Sequence, residues 1–242
     1  MNLNTYTQQT EALKALTAAL ILQIEKQDRY EFNIALPGGT SAHIVFDYWR
    51  THCAQSIPWH RIRFYWVDER CVPPTSDDSN FKLAYRLLFE PLSIPASHYF
   101  RIQGEHKPAE AARLYSMLIY RQLPRYHDVP QFDAILLGIG LDLHIASLFP
   151  PILSECKHTP QAITAVPSLL SAIRPYAVSS QPITRQARVT MTAPFILNNS
   201  PLFIPLLGEE KAKLVPRLGD VNTPAGYILQ KAKRASIFVG TT

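Results

Sequence analysis

Residues 32–41 read FNIALPGGTS: five uncharged residues, a proline, two glycines and two hydroxyl residues. An apolar run this short, closed by glycine, reads as a buried strand rather than a helix. The following stretch, SAHIVFDYWRTH (41–52), reads as a helix with Ser41 near its start. Strand, glycine turn and helix form the opening of a βα unit, and the flanking sequence repeats the theme. IRFYWV (62–67) is too short for a helix and rich in aromatic residues, so it reads as a strand, ending at DER (68–70). A polar loop, CVPPTSDDSN (71–80), leads to a helix near 80–90. Pro108 opens another helix, to about Leu123, at a position where the missing N–H of proline does no harm. FDAILLG (132–138) is a third strand ending at glycine.

Further strands are expected at AITAV (162–166), PYAVS (175–179), ARVTMT (187–192), LFIPLL (202–207) and ASIFV (235–239). A helix is expected from about Glu209 to near Pro216, and a shorter one from Pro224. Upstream, the first 25 or so residues read as one amphipathic helix: Leu13, Leu16, Leu20 and Ile24 recur at helical spacing, with Glu11, Lys14 and Glu25 on other faces. Fully apolar strands alternating with helices imply a mainly parallel sheet with helices on both faces. With no linker, repeat or low-complexity tract, residues 1–242 are expected to form a single α/β domain.

Composition narrows the function. The chain has 242 residues, 47% apolar and 18% charged, enough to bury a large core. Its net charge of +5 and pI near 9.1 come from scattered basic residues, which suits a small anionic substrate better than nucleic acid. Cys53, Cys71 and Cys156 are odd in number and widely spaced, so neither a disulfide framework nor a thiolate metal site is expected. ALTAALILQI (15–24) lacks a basic lead and a cleavage site, and is too short to span a bilayer. A cytoplasmic protein is the expectation.

In open parallel sheets, ligands sit beyond the carboxyl ends of strands. Three unusual stretches stand there: PGGTS (37–41), DER (68–70) and GIGLDLH (138–144). Gly38 and Gly39 free backbone amides to turn inward, and the helix start with Thr40 and Ser41 adds donors for a phosphate. The plain alternative is a tight turn needing positive φ. Neither GxxxxGK[ST] nor GxGxxG is present. Arg70 is a bidentate donor for phosphate or carboxylate, and Asp68 is the carboxylate nearest the strand; the alternative is an ion pair on a solvated loop. His144 is the natural proton acceptor near neutral pH, and Asp142, two residues earlier, would orient it. The alternative is a structural histidine. The eight histidines contain no HExxH or comparable cluster, so a metal is not expected.

Together these stretches carry a resemblance. LGIGLDLHIASLFP (137–150) is similar to the Gly-Asp-Gly-His-Thr-Ala-Ser-Leu-Phe-Pro signature of the 6-phosphogluconolactonases. WVDERCVPPTSDDSN (66–80) resembles that family's Asp-Glu-Arg…Asp-Ser-Asn block, and LPGGTS (36–41) its phosphate loop. ARVTMT and LLGEEKA resemble two further segments, carrying Arg188 and Lys211. The five matches follow family order from about residue 30 to 214. The resemblance implies a modified Rossmann-like fold and hydrolysis of 6-phospho-D-glucono-1,5-lactone to 6-phosphogluconate, without metal or organic cofactor. It implies His144 as base and Asp142 as its orienter. Gly38, Gly39, Thr40, Ser41, Arg188 and Lys211 would bind phosphate and sugar, joined by Asp68 and Arg70. The expected partner is a phosphorylated sugar lactone, with no nucleic acid or membrane, and a monomer or weak homodimer. Ser147 lacks a GxSxG elbow and is read as structural.

The chain departs from the family pattern in two places. Leu143 stands where the family has glycine, Leu141 where it has proline, and KRASIFVGTT (233–242) replaces a tryptophan-containing ending. With positive φ, a leucine at 143 costs on the order of 1–2 kcal/mol, or reshapes the loop, and its side chain would crowd the pocket. Two alternatives stay open: an amino-sugar-phosphate deaminase or isomerase, which would carry an acidic residue soon after the histidine where SLFPPIL (147–153) has none and Glu155 comes late, and a catalytically weakened sugar-phosphate binder.

Overall fold

The computed structural model describes residues 1–150, Leu169 and residues 174–242. The expected strand at 162–166, together with Cys156 and Glu155, lies outside the described residues. Eleven strands are described: β1 Asn2–Tyr6, β2 Phe32–Leu36, β3 Ile62–Trp66, β4 Asp68–Arg70, β5 Arg125–Tyr126, β6 Val129–Pro130, β7 Ala134–Leu136, β8 Tyr176–Ser180, β9 Ala187–Met191, β10 Leu202–Leu207 and β11 Ala235–Gly240. Six form one parallel sheet in the order β1-β11-β10-β7-β2-β3. Every residue of β2, β7 and β10 is buried, as expected for strands covered on both faces.

The longer helices are α1 Gln9–Glu25, α2 Gly39–His52 and α4 Pro108–Gln122, with α3 Asn80–Ala84 between the last two. The predicted apolar seam of α1, Leu13 through Ile24, is buried. Helix α4 starts at Pro108 as the sequence implied.

Several boundaries differ from expectation. The N-terminal segment is not all helix: residues 2–6 pair in parallel with β11 as an edge strand. Its polar sequence NLNTY hid it, because its inner partner rather than its own hydrophobicity holds it. Helix α2 opens at Gly39, two residues before Ser41. The helix expected over 80–90 is a short α segment that widens into a π turn over Tyr85–Phe89. The one expected from Glu209 to Pro216 stops at Ala212, and a 3-10 turn follows at Val215–Arg217.

The main correction concerns DER, PYAVS and ARVTMT. They do not extend the parallel sheet, and DER is no loop. They form a separate antiparallel sheet, β4-β9-β8, in which Asp68 faces Thr190 and Arg70 faces Arg188. Short apolar runs announce a strand but not its partner or direction.

Candidate active site

Strands β10, β7, β2 and β3 are neighbours in the large sheet, and their carboxyl ends open on one cavity of about 520 Å³. That size suits a small ligand. All ten residues named from the sequence line it: Gly38, Gly39, Thr40, Ser41, Asp68, Arg70, Asp142, His144, Arg188 and Lys211. Of these, Asp68, Arg70 and Arg188 belong to the second sheet, where β9 pairs with β4 just beyond the end of β3.

One end of the cavity is cationic. Gly39 has φ +80 and opens α2, whose first turn carries no acidic side chain to offset the partial positive charge of its amides. Gly38 approaches Asn80 so closely that a Cβ there would lie 1.8 Å from Asn80 Oδ1. Beside this turn, Arg70 and Arg188 stand opposite one another in the β4–β9 register. Like charges placed opposite repel unless an anion joins them. Burial, and then the Arg70 guanidinium, hold Arg188 below the usual arginine range. The Nε groups of both arginines are buried without a hydrogen-bond partner among the described residues, while an Arg70 terminal nitrogen donates to the Asp78 carbonyl. This is the chemistry of an anion site.

The other end is the loop between β7 and Leu148. Ile139 and Ile145 bridge in antiparallel fashion, Gly140 N–H donates to the His144 carbonyl at 2.9 Å, and Leu143 N–H closes the turn onto the Gly140 carbonyl. His144 Nδ1 lies 2.6 Å from Asp142 Oδ1. An aspartate accepting from Nδ1–H leaves Nε2 with its lone pair free. Burial would raise the Asp142 carboxyl, but its hydrogen bonds and charge interaction with His144 outweigh this and hold it below the usual value of 3.8. The Phe149 ring packs on the imidazole at 5.1 Å. Lys211 reaches in from the turn after β10 and donates to the Ile139 carbonyl; burial lowers its ammonium from the usual 10.5, and Asp142 opposes the shift.

Leu143 does have positive φ, +66, the case in which a leucine there is strained. It does not crowd the cavity. Its side chain is fully buried in the core, and its carbonyl accepts from Ala225 N–H at the start of the helix Pro224–Lys231. Burying a leucine is worth about 1.5–3 kcal/mol, comparable with the backbone strain it offsets. With Ile145 also fully buried, alternation turns His144 outward between two anchors.

Glu69 is not among the residues that line the cavity. Its buried carboxylate accepts from the backbone amides of Arg70, Asn80 and Phe81 at 2.8, 2.7 and 2.8 Å and from Ser79 Oγ, holding the start of α3 against β4. Burial dominates and raises its carboxyl despite these bonds. Among the other residues that line the cavity, Asn80, Gly140, Phe149 and Gln181 were given no role from the sequence. Asn80 lay within the quoted DSN block, and its Nδ2 donates to the Asp68 carbonyl at 2.8 Å. For Gln181, no sequence signal existed. No cluster of three or more metal-ligating side chains is found among the described residues.

Comparison with known proteins settles the family. The model for glucosamine-6-phosphate isomerases and 6-phosphogluconolactonases matches residues 7–237. The chain belongs to this family. It is 37% identical to a 6-phosphogluconolactonase of Treponema pallidum over 182 residues, covering 75% of this chain and 70% of the other. It is 27% identical to that of Haemophilus influenzae over 220 residues, covering 90% and 86%. The crystal structure of a 6-phosphogluconolactonase from Thermotoga maritima superposes with a TM-score of 0.76 at 25% identity, covering 99% of this chain and all of the other. That of a devB protein gives 0.82 at 28% identity, covering 99% and 96%.

Proposed function

We propose that this protein hydrolyses 6-phospho-D-glucono-1,5-lactone to 6-phosphogluconate, with His144 as general base. The observation that carries the reading is the Asp142–His144 pair at 2.6 Å in the same cavity as the opposed Arg70 and Arg188 and the opening turn of α2. Its relatives bear the name of this activity.

The substrate's dianionic phosphate is held by the amides of Gly38–Ser41 with Arg70 and Arg188, which leaves the lactone carbonyl toward the histidine loop, where Lys211 binds the sugar. Water attacks C1 as Nε2 of His144 takes its proton, and the Asp142 carboxylate stabilises the imidazolium that forms. The tetrahedral intermediate then expels the ring oxygen, which takes the proton back from Nε2. The open-chain carboxylic acid results, and ionises. No serine nucleophile is used: the Ser147 hydroxyl is committed to Asp68 at 2.5 Å. No acidic residue follows His144 through Pro150, which disfavours the deaminase chemistry of the family's other branch.

The test is turnover of freshly generated lactone, followed as acid release against the spontaneous rate. The wild-type chain is expected to accelerate it, and His144→Ala to lose about 10²- to 10⁴-fold in kcat while binding 6-phosphogluconate within about threefold of wild type. Ammonia release from glucosamine 6-phosphate, with no lactonase activity, would overturn the assignment.

A further inference from the structure

We propose that Ser147 is a positioning residue for His144, and that the three-stranded sheet is the seat that fixes the histidine loop; this rests on His144 being the base. Each strand of that sheet supplies one hydrogen bond to this one residue. From β4, Asp68 Oδ2 accepts the Ser147 hydroxyl at 2.5 Å. From β9, Thr190 Oγ1 accepts Ser147 N–H at 3.0 Å. From β8, Ser179 Oγ donates to the Ser147 carbonyl at 2.6 Å. The amide, carbonyl and hydroxyl of Ser147 are therefore all engaged.

The four residues are 0–8% exposed, so these bonds form away from water, where an unmet polar group is costly. The partners are themselves held. Thr190 Oγ1 donates onward to the Met191 carbonyl, and Asn80 Nδ2 donates to Asp68 Oδ1 at 3.2 Å. Each carboxylate oxygen of Asp68 thus accepts one hydrogen bond from the protein, which fixes the side chain that holds Ser147.

The residue between this anchor and Ile145 shows why the anchor matters. Ala146 sits at φ +53, a conformation alanine avoids unless its surroundings impose it. Ser147 closes that strained turn. Without it, the turn from Ile145 to Leu148 relaxes and the imidazole leaves its place beside Asp142 and the cavity. Displacement of a catalytic group by about 1 Å costs on the order of 10²-fold in rate.

The experiment compares wild type with Ser147→Ala, Thr190→Val and Ser179→Ala, each of which removes one of the three bonds. Turnover and KM are measured on the lactone, and imidazole ¹⁵N spectra of the full chain report the His144 tautomer without substrate. Ser147→Ala is expected to lower kcat roughly 10- to 100-fold with KM within about threefold. Its His144 signals should pass from the Nδ1-protonated form to a mixture. The other two variants should do the same more weakly, which covers the case that Ser147→Ala does not fold. Unchanged His144 spectra in the folded variants would overturn the proposal, whatever happens to Tm or kcat. A wild-type chain without lactonase turnover would instead sink the proposed function, and the spectra would still decide the seat.

Discussion

At one end of the cavity the chain turns on glycine; at the other it turns on leucine and alanine. Gly39 reaches φ +80 with open space where its Cβ would be, and the turn it makes is a property of a few consecutive residues. Leu143 and Ala146 reach φ +66 and +53 with no such freedom. Their turns exist because Leu143 is buried in the core and because the next residue, Ser147, is bonded to three strands of another sheet. The cationic end is written locally. The end that carries His144 is imposed from a distance, so the two should fail differently when altered.

Gly140→Ala should break the imposed end most severely. A Cβ there would fall 2.1 Å from His144 Nδ1 and 2.5 Å from Asp142 Oδ1, so the pair must separate. A loss of about 10²-fold or more in kcat with nearly constant KM is expected by steady-state kinetics. Arg188→Ala probes the local end, where a charge-assisted contact is worth about 1.5–3 kcal/mol. KM should rise roughly 10- to 100-fold with kcat little changed, and competitive inhibition by inorganic phosphate should weaken in parallel. Loss of kcat alone would mean that the arginine lies at the chemical end instead.

Leu143→Gly sharpens the contrast with a smaller effect. Restoring the family glycine removes strain but gives up a buried leucine, so stability should fall by about 1–2 kcal/mol, read as a Tm drop of roughly 3–6 °C. Activity should stay within about threefold; a large gain in rate would show that the natural loop is compromised. The smallest effect concerns pH. The Asp142 carboxyl is held below 3.8 in the folded chain, so its contribution to stability is complete above that value and is lost as pH falls through the lower folded one. Its side chain is 54% exposed, and solvent weakens the term. Asp142→Asn should therefore lower stability slightly, by a deficit that is full near neutral pH and disappears as pH falls through the folded carboxyl's range, read from unfolding curves at a series of pH values.

The amino-acid order alone determined the strand–turn–helix units, the carboxyl-end position of PGGTS and GIGLDLH, and the residue types that chemistry there requires. These are short-range matters of hydrophobic spacing, glycine and charge, and neighbouring residues suffice to specify them. Tertiary structure alone decided that residues 2–6 are a strand, since only β11 makes them one. It also decided that DER pairs with ARVTMT and sets Arg70 against Arg188. Most of all, it decided how Ser147 is tied to Asp68, 79 residues away in the chain. Hydrogen bonds between distant segments leave no periodic trace in a sequence, because their partners are chosen by the packed sheets that bring them together.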